Sequence, residues 1–417
     1  LKRFIPFFLL LIQIGVSQKI LIPMDQAQKD HLKAYGTAFW ILNENINVEW
    51  ILNYRGGSFL TDSYSDIEQE CRVRGVSYEI IGAEQTLTIY NEVEMNNMDV
   101  VLLEKAPKIA IYTPPNKLPW DDAVTLALTY AEIPYETLWD EDVFNGALAR
   151  YDWLHLHHED FTGQYGKFYR NYHTAAWYIE QQQQFETMAK NLGYNSVHAQ
   201  KKALAQLIKN YVANGGFLFA MCSATDSFDI ALAALNVDAA HSVFDGTPVE
   251  KNVEEKMDYG NSMAFDNFQI ITDPMVYEYS NIDYPPSDNP VVRGAEADYF
   301  TLFEFSAKYD PVPTMLTQNH VSVVKGFMGQ TTGFNRNSIK KHVLIMGEDI
   351  TTPQVKYLHG NQGQGTFTFL GGHDPEDYQH FVGDPQTDLS LHRNSPGYRL
   401  ILNNVLFPAA RKKERKT

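Results

Sequence analysis

The sequence predicts an α/β fold built on a parallel sheet, and three observations carry that expectation. Short apolar runs alternate with amphipathic stretches along most of the 417 residues, the pattern of strands joined through helices. The helix-like QKKALAQLIKNYVANGG (200–216) stops on two glycines and feeds directly into the apolar FLFAMC (217–222). The chain is also 44% hydrophobic and only 20% charged, enough for a substantial core and, at roughly 150 residues per domain, for two domains.

The elements justify themselves in order. ILIP (20–23) reads as a buried strand, DHLKAYGTAFWIL (30–42) as a helix with apolar residues three and four apart, and VEWIL (48–52) as a strand. SDIEQECRVRG (65–75) is a helix closed by glycine and SYEIIG (77–82) the next strand. Together they predict an amino-terminal βαβαβ half over 19–104. NYRGGSF (53–59) falls at the carboxyl end of a strand, where α/β proteins bind ligands. Arg55, Gly56 and Gly57 are therefore candidate substrate-binding residues, with a plain glycine turn as the simpler reading.

A second series occupies 105–408. KIAIY (108–112), YETLW (135–139) and YDWLHLH (151–157) are strands, with helices over 120–131 and 141–149 between them. From 243 to 340 the alternation breaks down into loop compositions and an alternating FTLFEF (300–305), which predicts a strand-rich insertion. HVLIMG (342–347), GTFTFLGGH (365–373) and a helix over 395–406 close the domain, and a basic tail follows at 409–417.

Charge and termini bound the function. A net charge of −17 excludes a general nucleic-acid binder, which needs clustered Lys and Arg. LKRFIPFFLLLIQIGVSQ (1–18) has the basic start, short apolar core and small residues of a cleaved export signal. That predicts a periplasmic or extracellular protein with no membrane attachment after cleavage. Cys71 and Cys222 are the only cysteines; Cys71 falls on a helix as a packing thiol, and a bridge between the two is not expected, because spacing does not establish proximity.

Cys222 leaves a buried strand and meets SATDS (223–227) at the start of a helix. A helix amino terminus stabilises a thiolate, and the free amides of Ser223 and Ala224 can receive an oxyanion. The competing reading is an inert core thiol. A cysteine nucleophile needs a base and the base an orienting group; FLGGHDPED (369–377) offers His373 with Asp374 and Glu376 behind it. WLHLHHEDFTGQYGK (153–167) adds His157, His158, Glu159 and Asp160 at a strand end, as a lining for the substrate pocket. No cofactor is predicted, but a divalent metal on His157, Asp160 and His373 stands as an alternative use of the same groups.

The order Cys222, His373, Glu376 resembles the class I glutamine amidotransferase-like fold over about 105–408. That resemblance implies a flavodoxin-like parallel sheet, a covalent thiol mechanism and hydrolysis or transfer at an amide or other C–N bond. The elbow departs from that family's Gly-x-Cys-x-Gly by alanine at 220 and 224, and HDPE replaces its His-x-Glu. The chain as a whole is similar to an exported bacterial family commonly labelled asparagine synthetase B, on KAYG, NYRGGSF, LPWDDA, the 151–166 stretch and FAMCSATDSFDIALA. The label's chemistry fits poorly: residue 2 is Lys2, not a nucleophilic cysteine, and Ser223-Ala224-Thr225-Asp226-Ser227 lacks the glycines a pyrophosphate loop needs.

These residues predict an amidotransferase-like hydrolase or transferase acting on a small molecule, glycan or peptide. The alternatives are a non-catalytic sugar- or peptide-binding protein on the same fold, a metal-dependent hydrolase and, ranked last, an asparagine synthetase.

Overall fold

The computed structural model describes residues 18–115, 122–284, 298–310, 313–377 and 384–411. All but the last residue of the expected signal peptide, and 412–417 of the basic tail, lie outside the described residues.

Two sheets form the molecule, which is α/β with mixed strand directions. The first has the order β4-β1-β3-β2-β5, from β1 (Lys19–Ile22), β2 (Val48–Leu52), β3 (Ser58–Asp62), β4 (Glu79–Ile81) and β5 (Asp99–Leu103). Every pairing in it is antiparallel, which corrects the expected βαβαβ half. The reason lies in NYRGGSF. Asn53, Arg55, Gly56 and Gly57 all take positive φ (62°, 45°, 79° and 90°), so the chain reverses there and β3 returns along β2 as a hairpin. A βαβ reading passes over β3 because its serine and threonine mask the short Phe59-Leu60 apolar step.

The second sheet has the order β11-β10-β13-β14-β15-β9-β8-β6-β7. Its parallel part comprises β6 (Ile109–Tyr112), β7 (Glu136–Leu138), β8 (Trp153–Leu156), β9 (Phe217–Met221) and β15 (Gly365–Leu370). In chain order these five lie second, first, third, fourth, fifth, so the direction of winding switches between β6 and β8. The antiparallel part adds β10 (Tyr299–Leu302), β11 (Val323–Lys325), β13 (Leu344–Glu348) and β14 (Gln354–Gln362), with β12 (Phe334–Asn335) paired to β14. The expected strand-rich insertion is corrected in kind: the described parts of 243–340 hold three short strands, all joined to this sheet, among loops and single helical turns.

One continuous core joins the sheets, running from Ile20 and Trp50 through Trp153 and Phe219 to Leu400 and Val405. The helix His31–Asn43 is buried on nearly every side between the helices Ala123–Ala131 and Pro396–Leu406, as an apolar helix must be. Its Gly36 is required there, since a Cβ would stand 1.8 Å from the Ala131 carbonyl oxygen. Buried Arg399 stitches the layers by donating to the carbonyls of Met24 at 2.9 Å and Gly56 at 2.5 Å.

Candidate functional site

The carboxyl ends of β6, β8, β9 and β15 meet at one edge of the second sheet. Open α/β sheets bind ligands outside these ends, at the point where winding reverses. Asp122 follows β6, His155 is the last residue but one of β8 with His157, His158 and Glu159 just beyond the strand, Cys222 follows β9, and His373 follows β15.

Cys222 stands at a sharp strand-to-helix elbow, with φ 52° and ψ −140°. A non-glycine residue there is strained by about 1–3 kcal/mol, and such strain concentrates at functional positions. The strained residue is therefore the cysteine itself, and the alanines at 220 and 224 avoid positive φ. The thiol is buried, which pushes its pKa up to about 11 despite amide donors from Gln330, Thr331 and Ser223. The Gln330 amide lies 3.3 Å from Sγ. Ala224 is not among these donors: its N–H goes to the His157 carbonyl at 3.0 Å, which corrects its assignment to an oxyanion pocket.

The loop 328–332 covers the elbow and ties it to β15. Thr331 donates its hydroxyl to Asp226 Oδ1 at 2.8 Å. The His373 and Gly372 amides donate to the carbonyls of Met328 and Thr331, each at 2.8 Å. Backbones approach so closely that a Cβ on Gly329 would stand 2.9 Å from the Gly372 carbonyl carbon. Burial raises Asp226 to about 7. The composition of GQTTGFNRN (329–337) reads as a loop, as it proves to be up to Gly333, but nothing in it places the loop over Cys222.

Histidines crowd the other side. The rings of His157 and His158 are centred 4.1 Å apart, His157 and His373 4.6 Å, and His158 and His373 4.9 Å. Behind them Asp122 Oδ1 lies 3.2 Å from His157 Nδ1 and Oδ2 lies 3.3 Å from His155 Nε2. Burial alone would raise the Asp122 pKa, but the two imidazoles hold it well below the usual carboxylate range. Burial and the neighbouring imidazoles push His158 well down, while burial lifts Glu159 to about 7. Asp122 was also missed. Its signal is the Asp before an apolar helix, and Oδ1 does cap Val124 and Thr125 at 2.7 and 3.0 Å.

Several expected roles are corrected. Glu376 pairs with His392 Nδ1 at 3.0 Å, and the two oxygens of Asp374 accept from the Glu376 amide and the Thr387 hydroxyl. Both carboxylates assigned to orient His373 are thus committed elsewhere. Asp160 spends both oxygens on its own loop, accepting from Thr162, Gln164 and Gly166, and it is not among the described side chains that converge with His157 and His373, which corrects its assignment as a metal ligand. Arg55 forms ion pairs with Asp25 at 2.7 Å and Glu79 at 2.8 Å in the first sheet. Gly56 packs on Met24 and Gly57 on Gln318, so all three belong to the hairpin turn and not to this edge. Cys71 and Cys222 are both free and buried.

A small cleft opens beside the cluster, lined among others by His158, Glu159, Trp139, Phe168, Phe185 and Lys201. Lys201 is buried and pairs with Asp140 at 2.9 Å and the Tyr112 hydroxyl at 2.5 Å.

No family model matches the chain, and no curated protein matches it. Among solved structures it is similar to the cytoplasmic protein STM1381 from Salmonella typhimurium LT2, at 13% identity and a TM-score of 0.35 over 73% of this chain and 100% of that one. It is likewise similar to the cytoplasmic protein STM3548 from Salmonella typhimurium, at 12% identity and a TM-score of 0.33 over the same shares. A β-galactosidase from Bacillus circulans sp. alkalophilus aligns at 9% identity and a TM-score of 0.26, over 70% of this chain and 32% of its own. Likeness at this level carries no functional argument. The first two are named as cytoplasmic proteins, in contrast to the export expected from residues 1–18, and that expectation is not carried further.

Proposed function

We propose that the protein is an amidotransferase-like hydrolase or transferase, cleaving an amide or related C–N bond through a covalent intermediate on Cys222. The observation that carries this reading is the strained elbow: a cysteine at φ 52°, with the Gln330 amide 3.3 Å from its sulfur, at the end of a central parallel strand. The strand order of the parallel part is the flavodoxin-like doubly wound one, which supports the finer fold assignment.

The roles are divided among the groups gathered at the strand ends. A thiol raised to about 11 is neutral at pH 7, so it attacks only as a base removes its proton. His373 takes that role and returns the proton to the leaving nitrogen. Asp122, reaching the cluster through His157, supplies the orienting carboxylate that Asp374 and Glu376 do not. The amides of Ser223, Gln330 and Thr331 stabilise the oxyanion. Substrate enters by the cleft lined by His158 and Glu159.

The test is a panel of primary amides, glutamine included, assayed for ammonia release, with intact-mass detection of an adduct from an electrophilic glutamine analogue. The expected result is turnover abolished in Cys222→Ala and an adduct on Cys222. Full turnover in that variant overturns the reading.

A further inference from the structure

We propose that His157, His158 and His373 form a binding site for one divalent transition-metal ion of the zinc class, with Asp122 as the carboxylate behind His157. One donor atom from each histidine lies within 4.8 Å of the other two. A tetrahedral ion with nitrogen at 2.0–2.1 Å holds its donors about 3.3 Å apart, a contraction that rotation of the rings supplies.

The second observation is independent of the cluster's size. Metal-bound histidines commonly donate their other ring N–H to a carboxylate, which fixes tautomer and orientation. Asp122 stands 3.2 Å from Nδ1 of His157, so the remaining nitrogen, Nε2, is the one free to ligate. The alternative set of Asp122, His155 and His157 is more deeply enclosed: His155 is fully buried with its ring stacked on Trp153 and Phe219, and this set would spend as a ligand the carboxylate that otherwise orients His157.

The donor chemistry selects the ion. Three imidazoles suit zinc, nickel, cobalt or copper, whereas magnesium and calcium require oxygen ligands. Three protein ligands with a fourth position left for water or substrate is the pattern of a catalytic zinc site. His158 also lines the cleft, which gives water or substrate a route to that fourth position. The inference goes beyond the cysteine reading, which describes the metal-free protein: a metal-bound His373 cannot accept the Cys222 proton, so occupancy of the metal site switches that use of His373 off.

Metal-free protein, prepared with a chelator, is titrated with zinc chloride by calorimetry, and metal content is measured by elemental analysis. The expected result is one zinc per chain, at least 100-fold weaker binding in His158→Ala and in His373→Ala, and 10–100-fold weaker binding in Asp122→Asn. Cys222→Ala binds zinc as the parent does, so loss of turnover in that variant speaks to the cysteine reading alone. X-ray absorption of the zinc-loaded parent shows an imidazole nitrogen shell, and this decides the matter if a variant fails to fold. Absence of saturable binding, undiminished binding in the histidine variants, or a sulfur or oxygen-only shell overturns the proposal.

Discussion

The backbone amide of Gln330 points at Sγ of Cys222 from 3.3 Å, and the neighbouring Thr331 pins that loop by its hydroxyl to Asp226. Thr331→Val removes the donor while keeping the shape. It removes one of the two donors to the buried Asp226 Oδ1, which keeps the Ser227 amide at 2.9 Å, at a cost of about 1–2 kcal/mol, and loosens the cover over the thiol. The expected outcome is a lower denaturation midpoint together with faster alkylation of Cys222 than in the parent. A Thr331→Val protein whose thiol labels no faster removes the loop's role as a cover.

The strain at Cys222 has its own signature. Glycine occupies positive φ without penalty and alanine does not. Cys222→Gly is therefore expected to be more stable than Cys222→Ala by about 1–2 kcal/mol, although it buries less. In an unstrained interior position the order reverses. Chemical denaturation of the two variants side by side reads the difference, and a more stable alanine variant contradicts the strained elbow.

The sequence made some of this site legible and hid the rest for physical reasons. Helix, diglycine, apolar strand and polar turn locate the Cys222 elbow from local chemistry alone, and the same holds for the histidines beyond β8 and for His373 after β15. What stayed hidden depends on pairing. The return of β3 along β2 is set by one left-handed turn at 53–57, and a run of residues does not declare which strand it will lie beside. The loop 328–332 reaches Cys222 across 108 positions of sequence. Asp374 and Glu376 looked like partners of His373 because they are adjacent in the chain, yet adjacent residues seldom face each other, and both turn toward the segment 387–392.

Asp160 supports the floor of the cleft through backbone geometry. Its two oxygens accept from the amides of Thr162, Gln164 and Gly166 at 2.7, 2.7 and 3.0 Å. Asp160→Ala leaves three buried amides unsatisfied and is expected to cost about 3 kcal/mol or more. Asp160→Asn retains one acceptor oxygen and loses less. Equal stability of the parent and the alanine variant in urea melts runs against this account.

Gly36 tests the packing that joins the two sheets. A methyl group there meets the Ala131 carbonyl at 1.8 Å, and backbone cannot yield as a flexible side chain does. Gly36→Ala is expected to destabilise by about 3 kcal/mol or more, at the upper end of the cost of overpacking, even though alanine is the better helix former. A thermal melt unchanged from the parent means that the helix His31–Asn43 moves freely against Ala123–Ala131, contrary to the contact described.

His31 and His320 lie ring to ring at 4.6 Å beside the buried Arg399. Burial, then the Arg399 charge, pushes His31 down to about 3 and His320 to about 4, against about 6.5 in the unfolded chain. Below pH 6.5 the unfolded state therefore takes up protons that the folded state refuses. Stability is fully present above pH 6.5 and is lost as pH falls toward 4 and then 3. The charged and polar groups facing the pair are Arg399 and the Asp25 carbonyl and carboxylate, and none of them titrates within the upper part of that window. Urea midpoints measured from pH 7 to pH 4.5 are expected to fall less steeply in His31→Gln than in the parent, because one of the two refusing groups is gone. Parallel slopes in the two proteins place the acid sensitivity elsewhere.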